Sequence, residues 1–261
     1  MPGIFEKDLG PFFKSNTCNM LKNQWYHPTI AGPTTIANLV HTRKTLNTYQ
    51  YILNQLESDE YTRFLQLFIS RGLDLYEDNW RYADICTVLL GVSMNLNIHD
   101  YLEIGVRRGR SMAMVAHSRP EANIVGFDWW KEGYAGMDNP GPTFVRNEMT
   151  KLGHTGSLDL ISGDSHVTVP EYFQKNPDAF FDCITVDGDH TEAGAMADLL
   201  TIIPRLRVGG ILVFDDIAHH QHPYLQRVWN QIVKKHQYFS TYEFTELGYG
   251  VAFAIRTNNI K

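Results

Sequence analysis

The chain has 261 residues and a formal net charge of −6 at pH 7; 43% of its residues are hydrophobic and 20% are charged. This balance is typical of a globular protein, with enough length for one large domain with an appendage or for two small domains. Because the net charge is negative and basic runs are short, the composition argues against a nucleic-acid backbone or an anionic membrane as the main partner.

The cysteines and the apolar segments indicate the compartment. Cys18, Cys86 and Cys183 are too few and too widely spaced for a disulfide framework or a CxxC zinc site. No apolar stretch approaches the roughly 20 residues needed to cross a bilayer, and the first residues lack the pattern of a signal peptide. We therefore expect a cytoplasmic protein with no membrane partner.

The first part of the chain predicts an arm followed by helices. Residues 1–33 carry Pro, Gly and Asn without periodicity. Apolar residues recur at helical spacing over residues 33–58, a second helix is predicted from a start at residue 58 to a stop near residue 72, and a third from about 79 to 94. Residues 1–98 are thus predicted to form an N-terminal arm and helical extension.

Beyond Ile98, short apolar runs alternate with helix-like stretches, as in a parallel sheet covered by helices on both faces. The predicted strand segments are residues 101–105, 123–128, 158–164, 181–187 and 210–216. Residues 241–247 and 251–256 flank a Gly-Tyr-Gly turn and predict a closing hairpin. The predicted fold of residues 99–261 is α/β: a Rossmann-like sheet of five parallel strands with a C-terminal antiparallel hairpin.

Every predicted parallel strand has an acidic residue at its carboxyl end. The acids are Glu103, Asp128, Asp164, Asp187 and the pair Asp215 and Asp216. Functional residues of open α/β sheets gather at the carboxyl ends of the strands. One acid alone is usually a turn residue or a helix cap, but five in series favour a functional site.

The segment from Glu103 to Ser111 predicts a glycine turn from the first strand into a helix. Gly105 permits close backbone approach, and the helix N-terminus favours a negative group such as a carboxylate. The glycine spacing differs from GxGxxG, which weakens a dinucleotide interpretation. We expect Glu103 to contact the methionine end of a cofactor and Ser111 to donate to the carboxylate of that cofactor.

Three further positions fit an adenosine moiety. Asp128 is placed to accept both ribose hydroxyls, a role common to NAD and S-adenosylmethionine sites. Asp164 and Ser165 suit an adenine edge, which favours S-adenosylmethionine. Trp129 is expected to lie along the adenine, with aromatic core filling as the competing interpretation.

Asp187, Asp215 and Asp216 follow the fourth and fifth strands, which are expected to be neighbours. Three carboxylates with few counter-charges repel one another unless a cation compensates them. An all-oxygen set suits Mg²⁺, with Mn²⁺ and Ca²⁺ as alternatives. Asp187 is also expected to border the cofactor. The competing interpretation is a helix cap and solvated aspartates.

Asp189 and His190 lie just beyond the predicted metal ligand, and either can act as general base toward a substrate hydroxyl. Residues 219–222 add three histidines to the same rim, where substrate contact or a solvated loop is expected rather than metal binding. Residues 129–143 form a long loop rich in Gly, Pro and aromatic residues, typical of a lid or of a static surface loop.

With these motifs in place, residues 99–256 resemble the class I S-adenosylmethionine-dependent methyltransferases, and most of all their macrocin O-methyltransferase and cephalosporin-biosynthesis branch. The matching stretches are residues 102–111, 126–128, 162–165, 186–190 and 209–217. The resemblance implies Mg²⁺ on Asp187, Asp215 and Asp216, with Asp189 as a base. It also implies an N-terminal helical region that helps close the site and mediates homo-oligomers.

These features together predict a metal-dependent O-methyltransferase that uses S-adenosylmethionine to methylate a hydroxyl of a small molecule, such as a sugar or natural product. A metal-free methyltransferase or a hydroxylase-associated protein of the same branch would keep the fold and change the chemistry. An NAD-dependent oxidoreductase and a catalytically silent binding protein are the alternatives from other classes.

Overall fold

The computed structural model describes residues 31–133 and 138–258. Its sheet contains β1 (Asp100–Ile104), β2 (Asn123–Asp128), β3 (Leu158–Ser162), β4 (Phe181–Val186), β5 (Leu206–Asp215), β6 (Phe239–Phe244) and β7 (Val251–Arg256). The strand order is β3-β2-β1-β4-β5-β7-β6. Strands β1 to β5 are mutually parallel, and β7 runs antiparallel between β5 and β6. The predicted α/β sheet with a closing hairpin is therefore confirmed.

The helices precede the sheet or connect its strands. They are α1 (Pro33–Val40), α2 (Arg43–Gln55), α3 (Glu60–Tyr76), α4 (Ile85–Ser93), α5 (Arg110–Ser118), α6 (Pro142–Lys151), α7 (Ser165–Lys175), α8 (Glu192–Ile202) and α9 (Tyr224–Trp229). The chain leaves β1 toward β2 and later returns to place β4 on the other side of β1. Ligands of open α/β sheets bind at such a switch point, outside the carboxyl ends of the strands.

Alternate residues of each strand fill two hydrophobic cores, one on each face of the sheet. Tyr101 joins the core formed with α1 to α6, whereas the next residue, Leu102, joins the core formed with α7, α8 and α9. The N-terminal helices therefore share one continuous core with the sheet. The division of the chain at residue 98 stays a prediction.

Local contacts explain where the N-terminal helices differ from the predicted ones. The helical stretch over residues 33–58 is interrupted before α2, where Thr42 accepts a hydrogen bond from the Thr45 amide at 3.2 Å. Gly72 was the predicted stop of the second helix, and that prediction is wrong. The helix continues to Tyr76 because Gly72 packs against Trp80, whose ring lies 2.2 Å from where a Cβ would be.

The third helix starts later than predicted, at Ile85, since Asp84 caps it. The first hairpin strand is shifted toward the N-terminus and covers residues 239–244. Cys86 and Cys183 are buried and free, while Cys18 and the predicted arm over residues 1–30 lie outside the described residues. Within the described ranges, no helix is both long and apolar enough to cross a membrane.

Candidate active site

The loops after β1 and β4 touch at Gly105. This residue has φ +92°, and a Cβ on it would lie 1.9 Å from the carbonyl oxygen of Asp187. The Asp187 amide in turn donates to the carbonyl of Ile104 at 2.8 Å. Only glycine lets the two backbones approach this closely. The crossing places the turn after β1 beside the acids that follow β4.

Glu103 is fully buried beneath this turn. Its carboxylate accepts hydrogen bonds from the Tyr101 hydroxyl, at 3.0 Å, and from the Ser111 hydroxyl. Burial raises the pKa of Glu103 to about 8, despite these donors. The structure thus brings Glu103 and Ser111 together, with the serine hydroxyl used inside the protein. Their roles toward a cofactor stay predictions.

Asp128 ties two loops together at the end of β2. One carboxylate oxygen accepts from the Arg107 amide at 2.7 Å, and the other from the Trp130 amide at 2.5 Å and the Asn139 side chain at 3.3 Å. A carboxylate has about four acceptor sites and these bonds use three, so one site remains for a hydroxyl group, on the oxygen that accepts from Arg107. Beside it, Trp129 is 67% exposed, which argues against the core-filling interpretation of this aromatic residue.

Asp164 caps α7, because its carboxylate accepts from the His166 amide at 2.9 Å. This is the capping role that competes with adenine binding. The neighbouring Ser165 hydrogen-bonds Asp198, a residue of α8 that is 1% exposed and has one oxygen without a partner among the described residues. Sequence reasoning missed Asp198. The sequence feature that could have identified this residue is an isolated acidic position on the apolar face of α8, directly before Leu199.

The acids after β4 and β5 do converge, but with a histidine among them. His190 Nε2 lies 3.1 Å from Asp187 Oδ1, and His190 Nδ1 lies 3.5 Å from Asp216 Oδ2. Ligand atoms from these three residues all fall within 4.8 Å of one another. The two carboxylates are donors that a single divalent cation such as Mn²⁺ or Mg²⁺ accepts, and the imidazole lies beside them. The residues present therefore fit a metal ion.

Strand register explains this convergence. Val186 of β4 pairs with Phe214 of β5, so Asp187 and Asp215 leave the sheet side by side. Asp216 has φ +61°, a left-handed backbone that turns its side chain away from the strand direction. Asp215 is not a member of the group formed with His190. Its assignment as a metal ligand stays a prediction.

Electrostatics reflect the crowding of these acids. Burial and the charge of Asp187 raise the pKa of Asp216 to about 7, and burial together with Asp187 and Asp216 raises the pKa of Asp215 well above its usual range. Burial disfavours the charged form of His190, yet the hydrogen bond to Asp187 and the nearby carboxylates raise its pKa to about 9. The cluster holds more negative charge than its surroundings compensate.

The two base candidates face different ways. Asp189 accepts from the Thr191 amide at 2.8 Å and lies against Gly194 at the start of α8, with His166 at 4.0 Å. His190 instead faces the acid pair. Which of the two is the base stays a prediction, and the position of His190 among the acids favours His190.

Aromatic and histidine side chains lie next to this acidic group. The ring of His222 lies 5.5 Å from that of His190, and His219 packs on Tyr249 with 4.0 Å between ring centroids. Across the site, Arg108 bonds Asp138 of the predicted lid at 3.0 Å. The lid residues 134–137 lie outside the described residues, and lid motion stays a prediction.

The chain is similar to known proteins in sequence and in fold. Residues 102–217 match the model of a family described as a methyltransferase domain. No curated protein sequence matches the chain.

Solved structures share the fold at low identity. An O-methyltransferase from Bacillus cereus in complex with S-adenosylhomocysteine is 15% identical, with a TM-score of 0.55 over 81% of this chain and 100% of that chain. CalS11, a calicheamicin methyltransferase, is 18% identical, with a TM-score of 0.54 over 92% of this chain and 100% of that chain. TomG from Streptomyces achromogenes, involved in tomaymycin synthesis and solved with S-adenosylmethionine, is 17% identical, with a TM-score of 0.52 over 66% of this chain and 78% of that chain.

These similarities confirm the expected fold and do not single out the macrocin or cephalosporin branch. The matched residues begin in β1 and end just after β5, so they span the strand ends where the acids gather. Residues 102–217 match a methyltransferase-domain model, and the chain has the fold of the class I S-adenosylmethionine-dependent methyltransferases.

Proposed function

We propose that this chain transfers a methyl group from S-adenosylmethionine to a hydroxyl oxygen of a small molecule, with a divalent cation at the ends of β4 and β5. The methyltransferase domain and its fold support the donor. A sugar or natural-product hydroxyl is the acceptor class we favour. A solved structure of CalS11 describes that protein as a TDP-rhamnose 3'-O-methyltransferase; it is 20% identical, with a TM-score of 0.52.

The observation that carries this proposal is the group of Asp187, His190 and Asp216. A cation bound there would lower the pKa of an acceptor hydroxyl and compensate the carboxylates. Mg²⁺ and Mn²⁺ are the ions we favour, with Ca²⁺ as a third option, because carboxylate oxygens dominate the donor set.

The protein's own residues would then perform three tasks. Asp128 would hold the ribose and so fix the direction of the sulfonium methyl group. His190 in its neutral form would accept the proton of the acceptor hydroxyl. As the new O–CH₃ bond forms in line, the S–CH₃ bond breaks, its electron pair stays on sulfur, and S-adenosylhomocysteine leaves.

One observation favours a second candidate, a metal-free methyltransferase. His190 already lies between Asp187 and Asp216, and its raised pKa means that the ring is charged at neutral pH. An imidazolium in this position compensates one of the two carboxylate charges without a metal ion.

Metal-stripped protein separates the candidates. We expect calorimetry to show binding of S-adenosylhomocysteine and none of NAD⁺. We expect turnover on a panel of hydroxyl acceptors to disappear with EDTA and to return with Mg²⁺ or Mn²⁺, while S-adenosylhomocysteine binding persists because it uses other residues. Full turnover after chelation would favour the metal-free enzyme, and binding of NAD⁺ alone would point to an oxidoreductase.

The N-terminal region is also proposed to mediate homo-oligomers. The large apolar side chains Phe64, Leu67 and Tyr76 of α3 are 55%, 73% and 58% exposed, a cluster that often marks an interface. Light scattering should give a mass above 29.9 kDa, the mass of one chain. Replacement of Leu67 by Glu should lower that mass, and a monomeric wild type would contradict the proposal.

A further inference from the structure

A positive side chain without a carboxylate partner lies next to the proposed site. Arg110 is the first residue of α5, and its guanidinium stands 4.5 Å from the centroid of the Tyr61 ring on α3. Two positions earlier, Arg108 is ion-paired with Asp59 at 3.4 Å and with Asp138 at 3.0 Å. Within the described residues, no carboxylate lies within 4.0 Å of the Arg110 nitrogens, and they make no hydrogen bond.

Asp59, the acid whose charge acts on Arg110, is already used: its carboxylate accepts from the Thr62 amide at 2.6 Å and pairs with Arg108 at 3.4 Å. Asp84, whose charge acts on Tyr61 as that of Arg110 does, is used as well. Asp84 accepts hydrogen bonds from the hydroxyls of Tyr49 and Tyr82 at 2.9 and 2.8 Å. Its other oxygen accepts from the Thr87 amide at 2.8 Å, where it caps α4. The five N–H donors of the guanidinium are therefore left for a ligand, held in a planar fork that matches a carboxylate or a phosphate.

Tyr61 connects this arginine to the acidic cluster. The ring is 37% exposed, and its hydroxyl makes no hydrogen bond to any residue in the described ranges. Burial raises the pKa of Tyr61 to about 12, and the charges of Arg110, Asp84 and Asp215 all act on that phenol. Tyr61 packs on Arg110, which starts the helix after β1, so both lie at the carboxyl edge of the sheet, where the charge of Asp215 also acts on Tyr61. The ribose and adenine positions predicted at the ends of β2 and β3 are on the other side of β1.

We propose that Arg110, assisted by the Tyr61 hydroxyl, binds an anionic group of the methyl acceptor, so that the acceptor is a hydroxylated small molecule carrying a carboxylate or a phosphate. This inference rests on the proposed methyl transfer. A bidentate contact to the guanidinium holds the anionic end of the molecule. The acids Asp187 and Asp216 repel that end, which leaves the neutral hydroxyl to approach them.

Binding is tested first, with full-length protein saturated with S-adenosylhomocysteine. Inorganic phosphate and 4-hydroxybenzoate serve as probes in calorimetry and distinguish the two anion types. We expect at least one probe to bind, Arg110→Gln to weaken it about tenfold or more, and Tyr61→Phe to weaken it less. Arg43→Gln, the same change at an exposed ion pair on α2 with 41% of the arginine side chain accessible, should leave binding unchanged.

Three binding results would overturn the inference. One is no probe binding to the wild-type complex, and another is an equal loss in Arg43→Gln. The third is a loss of S-adenosylhomocysteine affinity in Arg110→Gln as large as the loss of probe affinity, since the arginine would then hold the cofactor's carboxylate. If Arg110→Gln fails to fold, Arg110→Lys, which keeps the positive charge, is tested in its place.

Turnover provides the second test. Matched acceptor pairs, each an acid and its amide or a sugar phosphate and its free sugar, are compared by kcat/KM. We expect at least a tenfold preference for the anionic member, lost in Arg110→Gln. Equal turnover of both members overturns the anion site while leaving methyl transfer intact. Absence of any methyl transfer contradicts the proposed function instead, and the probe titration still decides whether the anion site exists.

Discussion

The two edges of the sheet place acids in opposite environments. At the amino edge, Arg207 bonds Asp100 and Asp182 at 2.8 Å each, and Asp182 also accepts from the amides of His99 and Asp100. At the carboxyl edge, the ion-pair partner that the described residues provide for Asp187 and Asp216 is His190.

The two edges differ in the side chain that pairs with the acids. A guanidinium keeps its charge at every physiological pH, so the acids at the amino edge stay compensated and act as structural ties. An imidazole titrates, so the compensation at the carboxyl edge depends on pH and on whatever binds there. Uncompensated charge, more than the number of acids, therefore distinguishes a reaction centre from a scaffold.

The largest expected effect sharpens this comparison at the carboxyl edge. His190→Ala should lower kcat by about 10²–10⁴-fold, the usual contribution of a general base, and should remove the rise of rate with pH that comes from deprotonation of His190. The free energy of unfolding should also fall, because Asp187 and Asp216 lose their partner, so kcat is compared at a temperature where the variant is fully folded. Asp189→Asn is the matched control, and a larger rate loss in that variant would make Asp189 the base.

At the amino edge, the same kind of deletion should affect stability and leave activity intact. Asp182→Ala removes a 3% exposed carboxylate and leaves two backbone amides and one arm of Arg207 without their acceptor. We expect a loss of about 2–4 kcal/mol in the free energy of unfolding, measured with urea. Asp100→Ala, at the more exposed arm of the same pair, should cost less. A fall in kcat at a temperature where Asp182→Ala is fully folded would break the comparison.

Asp128 tests the cofactor half of the carboxyl edge. Asp128→Ala should weaken S-adenosylhomocysteine binding at least about tenfold, since hydrogen bonds to a charged acceptor contribute about 1.5–3 kcal/mol each. The variant also frees the amides of Arg107 and Trp130, so some order in both loops is lost. Unchanged affinity by calorimetry would remove Asp128 from the binding site.

The last expected effect concerns Glu103, whose pKa is raised mainly by burial. Its pKa of about 8 in the folded protein lies above the ordinary 4.5, so the folded state binds the proton more tightly. The free energy of unfolding should therefore fall as pH rises from about 4.5 to 8, by at most about 1.4 kcal/mol per pH unit. Glu103→Gln cannot ionise and should remove this slope, so relative to wild type it gains stability at pH 9 over pH 5. Parallel curves in urea titrations would contradict the raised pKa.

Much of the fold could be predicted because each strand is a continuous apolar run that ends in an acid. The helix boundaries were harder to predict from the sequence. Nothing in the sequence around Gly72 shows that Trp80 will cover it, and Thr42 becomes a helix cap only because the chain turns there.

The candidate site was predicted in outline, and its details depend on backbone geometry. Neighbouring residues at a strand end point in different directions, so the sequence did not indicate which of Asp215 and Asp216 would meet Asp187. The left-handed backbone at Asp216 decides this, and it lets His190 enter the group. Arg110 and Tyr61 come from distant segments of the chain, and only tertiary packing brings them together.

The core shared by the N-terminal helices and the sheet has a consequence for protein engineering. Recombination of relatives at residue 98 would join two halves of one packed interior, in which α4 lies directly on α5 and on the sheet. Chimaeras cut at this point would inherit mismatched side chains from both parents. Exchange of acceptor preference is better sought by replacing the few side chains that face the site, with the interior of one parent kept whole.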